Sequence, residues 1–269
     1  MNAVYVWSIA RAFGGAVILR IEDHDAQRAR QVYAESILAD LAWLGLHADN
    51  AACGLPTPIH QSDEPLVYEA ALAKLASSAT VYACRCSRRE IAAHGPGGDE
   101  LRYPGTCRTA AVPLDETPAR RLLLHEENTQ CDDLRRGLQT QAPALQCGDL
   151  LLRDRRGQPT YQFAVVVDDI RHGVDVVIRG DDLLASTGRQ IMLAARLGRA
   201  VPPLYLHHPL VSHPDGTKLS KSNGDAGIRE LRAAGWTPPQ VLGHAAWLGG
   251  LQDTTEPRAP DSLREFWSK

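Results

Sequence analysis

The pattern of apolar and polar positions predicts a chain in which short buried strands alternate with helices. Residues 15–21 form an apolar run that opens with glycine and ends in the polar segment 22–25, which is typical of a buried parallel strand. Residues 26–46 have helical periodicity, with Asp25 as the predicted cap. The apolar positions of that helix are Val32, Ile37, Leu38, Leu41 and Leu44. Strand, acidic turn and helix together predict an α/β unit.

The same alternation continues after an interruption. A second helix is predicted over 64–77, and the periodicity then fails from 81 to about 113, which indicates an insertion. The elements predicted after it are a strand at 150–153 with a turn at 154–157, a buried apolar element at 161–167, a strand at 176–180, a helix at 184–197 facing the core through Ile191, Leu193 and Leu197, shorter helices at 228–234 and 239–248, and a polar tail from Gln252. This order favours a parallel, doubly wound sheet.

Composition narrows the class of protein. With 269 residues and 44% hydrophobic content the chain can bury a sizeable core, and its net charge of −3 gives no global basic field. No uncharged apolar run reaches the length of a membrane span, and the amino terminus lacks a signal-peptide pattern, so we expect a cytoplasmic protein. The six cysteines therefore indicate metal binding or free thiols rather than disulfides.

The pentapeptide Lys218-Leu219-Ser220-Lys221-Ser222 contains two of the four lysines of the chain. Lysine ammonium groups and serine hydroxyls suit phosphate oxygens, and the flanking Gly216 and Gly224 allow the backbone to come close to a ligand. A polyphosphate is the predicted ligand. The alternative is a solvated surface turn.

Three polar residues mark positions where ligands bind in open α/β sheets. Glu22 and Arg179 follow predicted strands, and Tyr161 opens the apolar segment between them. Arginine binds carboxylates and glutamate accepts from ammonium groups, so the three together predict a pocket for a small zwitterion. The alternatives are helix-start electrostatics for Glu22 and Asp23 and a surface ion pair for Arg179. The paired Asp168 and Asp169 have the same two interpretations.

The insertion contains a predicted zinc site. Cys84, Cys86 and Cys107 supply three thiolates of a tetrahedral set that lacks one ligand. From residue chemistry His94 is the first choice for the fourth position and Tyr103 the second. The alternative is a set of buried reduced cysteines. Cys53, Cys131 and Cys147 have no partner spacing and are predicted to be structural.

In this order, the motifs resemble the catalytic half of a class I glutamyl-tRNA synthetase. The resemblance spans residues 2 to about 250 and rests on the stretch 7–15, L-R-I-E-D-H-D at 19–25, Y-A-C-R-C at 82–86, Y-P-G-T-C-R at 103–108, P-T-Y-Q-F-A-V-V-V-D-D at 159–169, I-R-G-D-D-L at 178–183 and K-L-S-K-S at 218–222. It implies a Rossmann-like parallel sheet with a zinc-bearing insertion and a C-terminal helical segment. The implied division is 1–80 and 151–205 for the catalytic domain, 81–150 for the insertion and acceptor-binding region, 206–250 for the lysine loop and helical segment, and 251–269 for the tail.

Within that family the chain is similar to a short paralogue that modifies tRNA(Asp). Full enzymes continue into a helical anticodon-binding domain, and those with zinc commonly place a histidine where this chain has Thr109. The resemblance implies one structural zinc held by Cys84, Cys86, Tyr103 and Cys107, a glutamate pocket lined by Glu22, Tyr161 and Arg179, and phosphate stabilisation by Lys218 and Lys221, with Lys221 contacting ATP.

The reaction implied is activation of glutamate by ATP and Mg²⁺, followed by transfer to queuosine at the wobble position of tRNA(Asp). We expect a monomer that reads the anticodon loop through exposed arginines of the insertion, namely Arg85, Arg88, Arg89, Arg102 and Arg108. The alternatives are a fragment that charges tRNA(Glu), an inactive zinc-bearing RNA-binding paralogue, and a small-molecule nucleotidyltransferase on the same fold.

One part of the family pattern is not found. The family begins with a strand and loop that carry an F-A-P-S-P segment and an H-I-G-H-like motif, and neither occurs in these 269 residues. We therefore expect the first strand–helix unit to lie upstream of Met1, with a degenerate copy as the alternative. Adenylation by residues 1–269 is expected to depend on that unit, because it binds the adenine and phosphates of ATP in the family.

Overall fold

A computed structural model of the chain describes residues 1–24, 31–94, 100–211 and 227–268. The α-helices are α1 (Asn2–Phe13), α2 (Gln31–Trp43), α3 (Pro65–Ser78), α4 (Arg88–Ala92), α5 (Pro143–Cys147), α6 (Tyr161–Arg171), α7 (Thr187–Arg196), α8 (Ile228–Ala233) and α9 (Pro238–Leu248). The strands are β1 (Arg20–Ile21), β2 (Ile59–His60), β3 (Val81–Ala83), β4 (Arg120–Leu122), β5 (Thr129–Asp133), β6 (Gly137–Gln141), β7 (Leu150–Arg153), β8 (Val176–Gly180) and β9 (Leu204–His208).

Most of the predicted elements after residue 60 are confirmed. The helices α3, α7, α8 and α9 and the strands β7 and β8 lie where the pattern predicted them. The apolar element at 161–167 is the amino-terminal part of the helix α6, and all its residues from Phe163 to Asp168 are buried. A helix that is apolar on every side must be surrounded by other elements, and α6 is the centre of the larger core.

The predicted strand at 15–21 is much shorter than expected. Only β1 has strand geometry, and the amides of Val17 and Leu19 before it are bound by side chains rather than by a neighbouring strand. The Asp49 carboxylate accepts from the amide of Val17 at 2.8 Å, and Asn50 both accepts from the Leu19 amide at 2.7 Å and donates to its carbonyl at 3.0 Å. These two side chains satisfy backbone groups that a strand would have paired.

The helix predicted over 26–46 is confirmed for 31–43, but the prediction of which face is buried is wrong. Val32 is 57% exposed and Ile37 is 52% exposed, although both belong to the predicted apolar face. The predicted cap Asp25 and residues 26–30 lie outside the described part of the chain. Apolar periodicity predicted the helix, but it does not show whether another element covers the apolar face of that helix.

The single parallel sheet of the prediction is divided in the described residues. β1 pairs with β2 in parallel, and a second sheet has the order β6-β5-β9-β8, in which β9 is parallel to both β5 and β8. The third sheet, β3-β4-β7, is antiparallel, so the predicted strand at 150–153 lies outside the parallel sheets. The parallel pairs and the helices around them form a Rossmann-like α/β fold.

The segment predicted as a polar tail folds back on the first helix. Residues Pro260–Trp267 form a 3₁₀-helix that packs against α1, with Leu263 fully buried and the Trp267 indole donating to the Ser8 hydroxyl at 2.9 Å. The apolar residues of α1 and α9 complete this second core. Among the described helices, none has the length and apolar character needed to cross a membrane.

The packing of the 3₁₀-helix predicts the cost of truncating its central leucine. We expect Leu263→Ala to lower the free energy of unfolding by about 2–5 kcal/mol, because it removes a fully buried side chain and leaves a cavity between 260–267 and α1. Urea titration measures the change. Leu66→Ala is the matched control, since Leu66 is 79% exposed; equal effects of the two substitutions would show that residues 260–267 do not belong to the core.

Candidate active site and cysteine cluster

Glu22, Tyr161 and Arg179 line one cavity of about 940 Å³. The cavity lies where the ends of β1 and β8 face α6, and residues of α1 and α2 complete its wall. The structure therefore brings together the three residues that the sequence predicted to form a pocket. Most of the remaining wall is apolar and comes from Val17, Ile18, Leu19, Val165, Val174, Val176, Val177 and Ile178.

Arg179 is held at the cavity by neutral hydrogen-bond partners. Its side chain is buried, and it donates from Nε to His207 Nε2 at 3.0 Å, from one terminal nitrogen to Gln190 Oε1 at 2.6 Å and from the other to Thr187 Oγ1 at 2.9 Å. The alternative of a surface ion pair is wrong. Because these partners carry no negative charge, they orient the guanidinium and leave its charge to attract an anion.

The acidic side of the cavity is organised by Arg20. Its guanidinium lies 3.0 Å from Asp169 and 3.4 Å from Glu22. Burial raises the pKa of Asp169, against the opposing effect of Arg20. Burial and the nearby Glu22 carboxylate also raise the pKa of Tyr161, so its hydroxyl is a neutral hydrogen-bonding group. The helix-start role considered for Glu22 involves 25–30, which lie outside the described residues.

Asp168 and Asp169 have different surroundings despite being neighbours. Asp168 is fully buried and accepts hydrogen bonds from Gln61 at 2.7 Å, Tyr68 at 2.8 Å and Arg171 at 3.2 Å. These contacts tie α6 to α3 and to the segment before it, which is a structural role. Asp169 lies on the cavity wall and is the member of the pair that can contact a ligand.

The predicted cysteines form a compact cluster in the insertion. The sulfur atoms of Cys84, Cys86 and Cys107 all lie within 4.8 Å of one another. A Zn–S bond of about 2.3 Å in tetrahedral geometry places sulfur atoms about 3.8 Å apart, so the three thiols fit a zinc ion. Directly after Cys86 the backbone is fixed, because Ser87 caps the amino terminus of α4.

The hydroxyl of Tyr103 lies among these sulfur atoms. It is 3.6 Å from Cys84 Sγ and accepts from the Cys107 amide at 2.7 Å. His94 is not a member of the cluster; its Nδ1 lies 2.7 Å from the Glu90 carbonyl of its own helix. Gly148 permits this placement of Tyr103, because it has a φ of 68° and a Cβ there would lie 2.2 Å from the Tyr103 carbonyl oxygen.

Arg121 makes the three thiols electrostatically unequal. Its Nε donates to Cys84 Sγ at 3.3 Å, and its guanidinium lies 3.8 Å from the centre of the Tyr103 ring. Burial opposes ionisation of Cys84, but the hydrogen bonds from Arg121, the Cys86 amide and Tyr103, together with the charge of Arg121, outweigh burial and lower the pKa of that thiol. Burial and the neighbouring Cys107 raise the pKa of Cys86 to about 12. The protein therefore favours a thiolate at Cys84, which is the form that binds metal.

Asp149 connects the insertion to the antiparallel sheet, and sequence reasoning missed it. Its fully buried carboxylate accepts from Arg108 at 2.8 and 2.9 Å, from the Leu124 amide at 3.0 Å and from the Tyr82 hydroxyl. Arg108 directly follows the last cysteine of the cluster. The only sequence signal was an acidic residue immediately before a predicted strand, which is too common to single it out.

The remaining predicted residues fall into two groups. Lys218 and Lys221, predicted to contact phosphates, lie outside the described residues. Cys53 is exposed, Cys131 is partly buried and Cys147 is buried; none of them belongs to the described cluster. Four buried residues that hold Arg179 were also missed, because nothing in the local pattern of their strands and helices distinguishes them; they are His207, Asp133, Thr187 and Gln190.

Comparison with known proteins gives one family. The family model for tRNA synthetases class I (E and Q), catalytic domain, matches residues 1–256. Two relatives called glutamyl-Q tRNA(Asp) synthetase, from Symbiobacterium thermophilum and Nitratidesulfovibrio vulgaris, are each 42% identical; the matches cover 97% and 94% of this chain and 85% and 82% of those proteins. A glutamate–tRNA ligase 2 from Alkalilimnicola ehrlichii is 37% identical over 92% of this chain and 54% of its own length.

A solved structure supports the fold. The glutamate tRNA ligase of Elizabethkingia meningosepticum, determined in complex with its amino acid, superimposes with a TM-score of 0.78 at 24% identity. The superposition covers 98% of this chain and 60% of that one.

The environment of Asp149 predicts a pH-dependent contribution to stability. Burial opposes its ionisation, but the hydrogen bonds from Arg108, Tyr82 and the Leu124 amide, together with the charge of Arg108, outweigh burial and lower its pKa. Its carboxylate therefore stabilises the fold above the pKa of an unfolded aspartate, about 3.9, and that stabilisation is lost as pH falls through the lower folded pKa.

We expect Asp149→Asn to lower the free energy of unfolding by about 1–3 kcal/mol at pH 7, because buried donors lose a charged acceptor. Denaturant titrations from pH 7 to about 3.5 should show the difference from the wild type shrinking at the acid end. Asp132→Asn is the control, since Asp132 is exposed. A difference that stays constant down to the lowest pH would contradict the assigned ionisation.

Proposed function

The chain belongs to the class I tRNA synthetases (E and Q), and we propose that it activates glutamate with ATP and transfers the glutamyl group to queuosine of tRNA(Asp). The structural observation that carries the proposal is the meeting of Glu22, Tyr161 and Arg179 in one cavity. The choice of acceptor is supported by 42% identity to two glutamyl-Q tRNA(Asp) synthetases over nearly the whole chain.

Charge complementarity supports glutamate as the amino acid. Arg179 offers a buried cation whose hydrogen-bond partners are neutral, which suits a carboxylate. Glu22 and Asp169 lie on the same cavity wall and suit the ammonium group. Tyr161 contributes a hydroxyl between the two. A zwitterionic amino acid satisfies this arrangement better than a neutral or cationic metabolite, and the choice of glutamate follows from the relatives.

Activation requires little covalent chemistry from the protein. The α-carboxylate of glutamate attacks the α-phosphorus of ATP. The bond between that phosphorus and pyrophosphate breaks, and glutamyl-adenylate forms. Catalysis then consists of positioning and of stabilising charge on the phosphates. We assign that stabilisation to Lys218 and Lys221, with Mg²⁺ neutralising the pyrophosphate as it leaves. Lys221 is the residue assigned to ATP.

The arginines of the insertion supply the proposed contact with the anticodon loop. Arg88, Arg89 and Arg102 are exposed and can contact backbone phosphates. Arg85 is 3.3 Å from Glu116, and Arg108 binds Asp149, so these two are already engaged. The predicted set of five phosphate contacts is therefore reduced to the three arginines for which the described residues show no salt bridge.

The acceptor site can be tested with tRNA that lacks its 3′ end. We expect labelled glutamate to be transferred to queuosine-containing tRNA(Asp), and to persist after the terminal adenosine of that tRNA has been removed, because the acceptor lies in the anticodon loop. The protein is expressed from its own gene with the native upstream region, and transfer is followed on acid gels.

The matched control for this experiment is tRNA(Asp) with guanosine at the wobble position, which should accept no glutamate. Charging of tRNA(Glu) that depends on the terminal adenosine would instead establish a glutamate–tRNA ligase. Failure with all of these tRNAs, together with retained binding of tRNA, would favour a non-catalytic paralogue.

We further propose that Cys84, Cys86, Cys107 and Tyr103 hold one structural zinc ion. The thiol spacing and the position of the Tyr103 hydroxyl support this set. The zinc contributes to folding of the insertion by linking residues 84–86 to residues 103–107, since a structural metal adds its binding free energy to that of folding.

Metal content tests the proposed ligand set. We expect about one zinc per wild-type chain by elemental analysis, and loss of most of it in Cys86→Ser, because a thiolate ligand is removed. Cys131→Ser is the control and should keep its metal, since Cys131 is outside the cluster. Loss of zinc in His94→Ala, with retention in Tyr103→Phe, would move the fourth ligand to His94.

A further inference from the structure

A buried chain of hydrogen bonds runs from the turn after β5 to the cavity. Asp133 and His207 are both buried, and the His207 ring places Nδ1 2.7 Å from Asp133 Oδ2. On the other side of the ring, Nε2 lies 3.0 Å from Arg179 Nε and 3.2 Å from Thr187 Oγ1. The imidazole is therefore the link between a fixed carboxylate and the arginine of the cavity.

The partners of the ring determine its tautomer. Arg179 Nε always carries a proton and donates it, so Nε2 of His207 must be an acceptor. The proton of the neutral ring then lies on Nδ1, where Asp133 accepts it. Thr187 agrees with this assignment, because its hydroxyl accepts from Arg179 and has its own proton to give to Nε2.

Asp133 is itself fixed by backbone donors. Its Oδ1 accepts from the amides of Arg135 at 3.0 Å and Arg136 at 2.7 Å, and its Oδ2 accepts from the amide of His207 at 3.0 Å. A carboxylate surrounded by donors cannot turn away from the ring. Donation therefore runs from Arg179 to His207 and from His207 to Asp133, whose carboxylate is held in place by the backbone amides.

We propose that His207, held as the Nδ1–H tautomer by Asp133, is a positioning residue that aims the guanidinium of Arg179 at the carboxylate of the bound amino acid. This inference rests on the proposed function, in which Arg179 binds glutamate. An arginine side chain has many rotamers. Because its guanidinium group is planar, fixing the direction of the Nε–H bond also restricts where the donors of the terminal nitrogens can point. Thr187 and Gln190 fix the rotation of that plane.

The same geometry makes the position of Arg179 dependent on pH. A protonated His207 carries a proton on Nε2 that points at the Nε–H of Arg179, so the two donors repel. Four charged groups face His207: Asp133 at the end of β5, Arg135 in the turn that follows, Arg179 on β8 and Asp181 directly after β8. The ring of Tyr205 stacks on the His207 ring. Burial lowers the pKa of His207 despite the hydrogen bond to Asp133, so the ring is neutral at pH 7.

Binding and tautomer measurements test the role directly. In protein labelled with ¹⁵N-histidine, we expect His207 to show a protonated Nδ1 and an unprotonated Nε2 at pH 7, with its signal identified by its absence in His207→Gln. Calorimetric titration with glutamate should show affinity that falls as pH is lowered from 7.5 to 5. Burial also raises the pKa of Asp169 on the cavity wall, so the comparison with variants is needed to isolate the contribution of His207.

The variants separate positioning from packing. His207→Gln supplies an amide oxygen that can replace Nε2 as acceptor, so we expect near-wild-type affinity at pH 7 with a weaker pH dependence. His207→Leu removes the acceptor and should weaken glutamate binding about 10- to 100-fold. His208→Leu is the matched control: His208 is also buried but contacts Asn2 and the Pro209 carbonyl, and its loss should leave the affinity unchanged.

Two results would overturn the proposal. One is an Nε2–H tautomer of His207 in the wild type; the other is a pH dependence that His207→Gln retains in full. A folding defect in His207→Leu, visible by circular dichroism, leaves both of these measurements available. A wild-type protein that has the expected tautomer but does not bind glutamate would instead overturn the proposed function of the cavity, and with it the role of His207 in substrate binding.

Discussion

The placement of Arg20 is the interaction on which the cavity depends. β1 is only two residues long, and its strand partner β2 is equally short, so backbone pairing alone holds this segment weakly. Arg20 compensates by pairing with Asp169 on α6, with Asp168 a further 4.0 Å contact. A buried cation must be matched by nearby acids, which forces β1 against α6. Glu22, two residues later, is placed at the cavity by the same constraint.

The two arginines of the cavity illustrate opposite ways of burying a charge. Arg20 is surrounded by carboxylates, and its charge is neutralised within the protein. Among the described residues, Arg179 donates to a histidine, a glutamine and a threonine, none of which carries a negative charge. The proposed ligand binding rests on this difference, because a buried cation with neutral partners gains most from an incoming carboxylate. In this proposal Arg20 shapes the cavity and Arg179 binds the ligand.

The sequence predicted what depends on local pattern. The helices α3, α7 and α9, the strand β8, the convergence of Glu22, Tyr161 and Arg179, and the cysteine cluster all follow from periodicity, strand-end position or spacing. Long-range side-chain pairing could not be predicted in this way. The side chains of Asp49 and Asn50 accept from the amides of Val17 and Leu19 in place of strand partners. No pattern within residues 17–19 reveals these contacts. His207 and Asp133 are 74 residues apart, and each alone resembles an ordinary polar residue.

The same limit explains the insertion. The spacing of Cys84, Cys86 and Cys107 predicted a cluster, but the cluster is attached to the rest of the molecule by Arg121 and Asp149, which lie outside that spacing. Arg121 contacts a cysteine and a tyrosine of the cluster while its own strand, β4, is central in the antiparallel sheet. Asp149 binds Arg108 from the other side. The cysteine cluster is thus held by its proposed metal ligands and also by two buried charged groups, Arg121 on β4 and Asp149 directly before β7. The contacts of these two groups orient the cluster on the antiparallel sheet without any contribution from a metal.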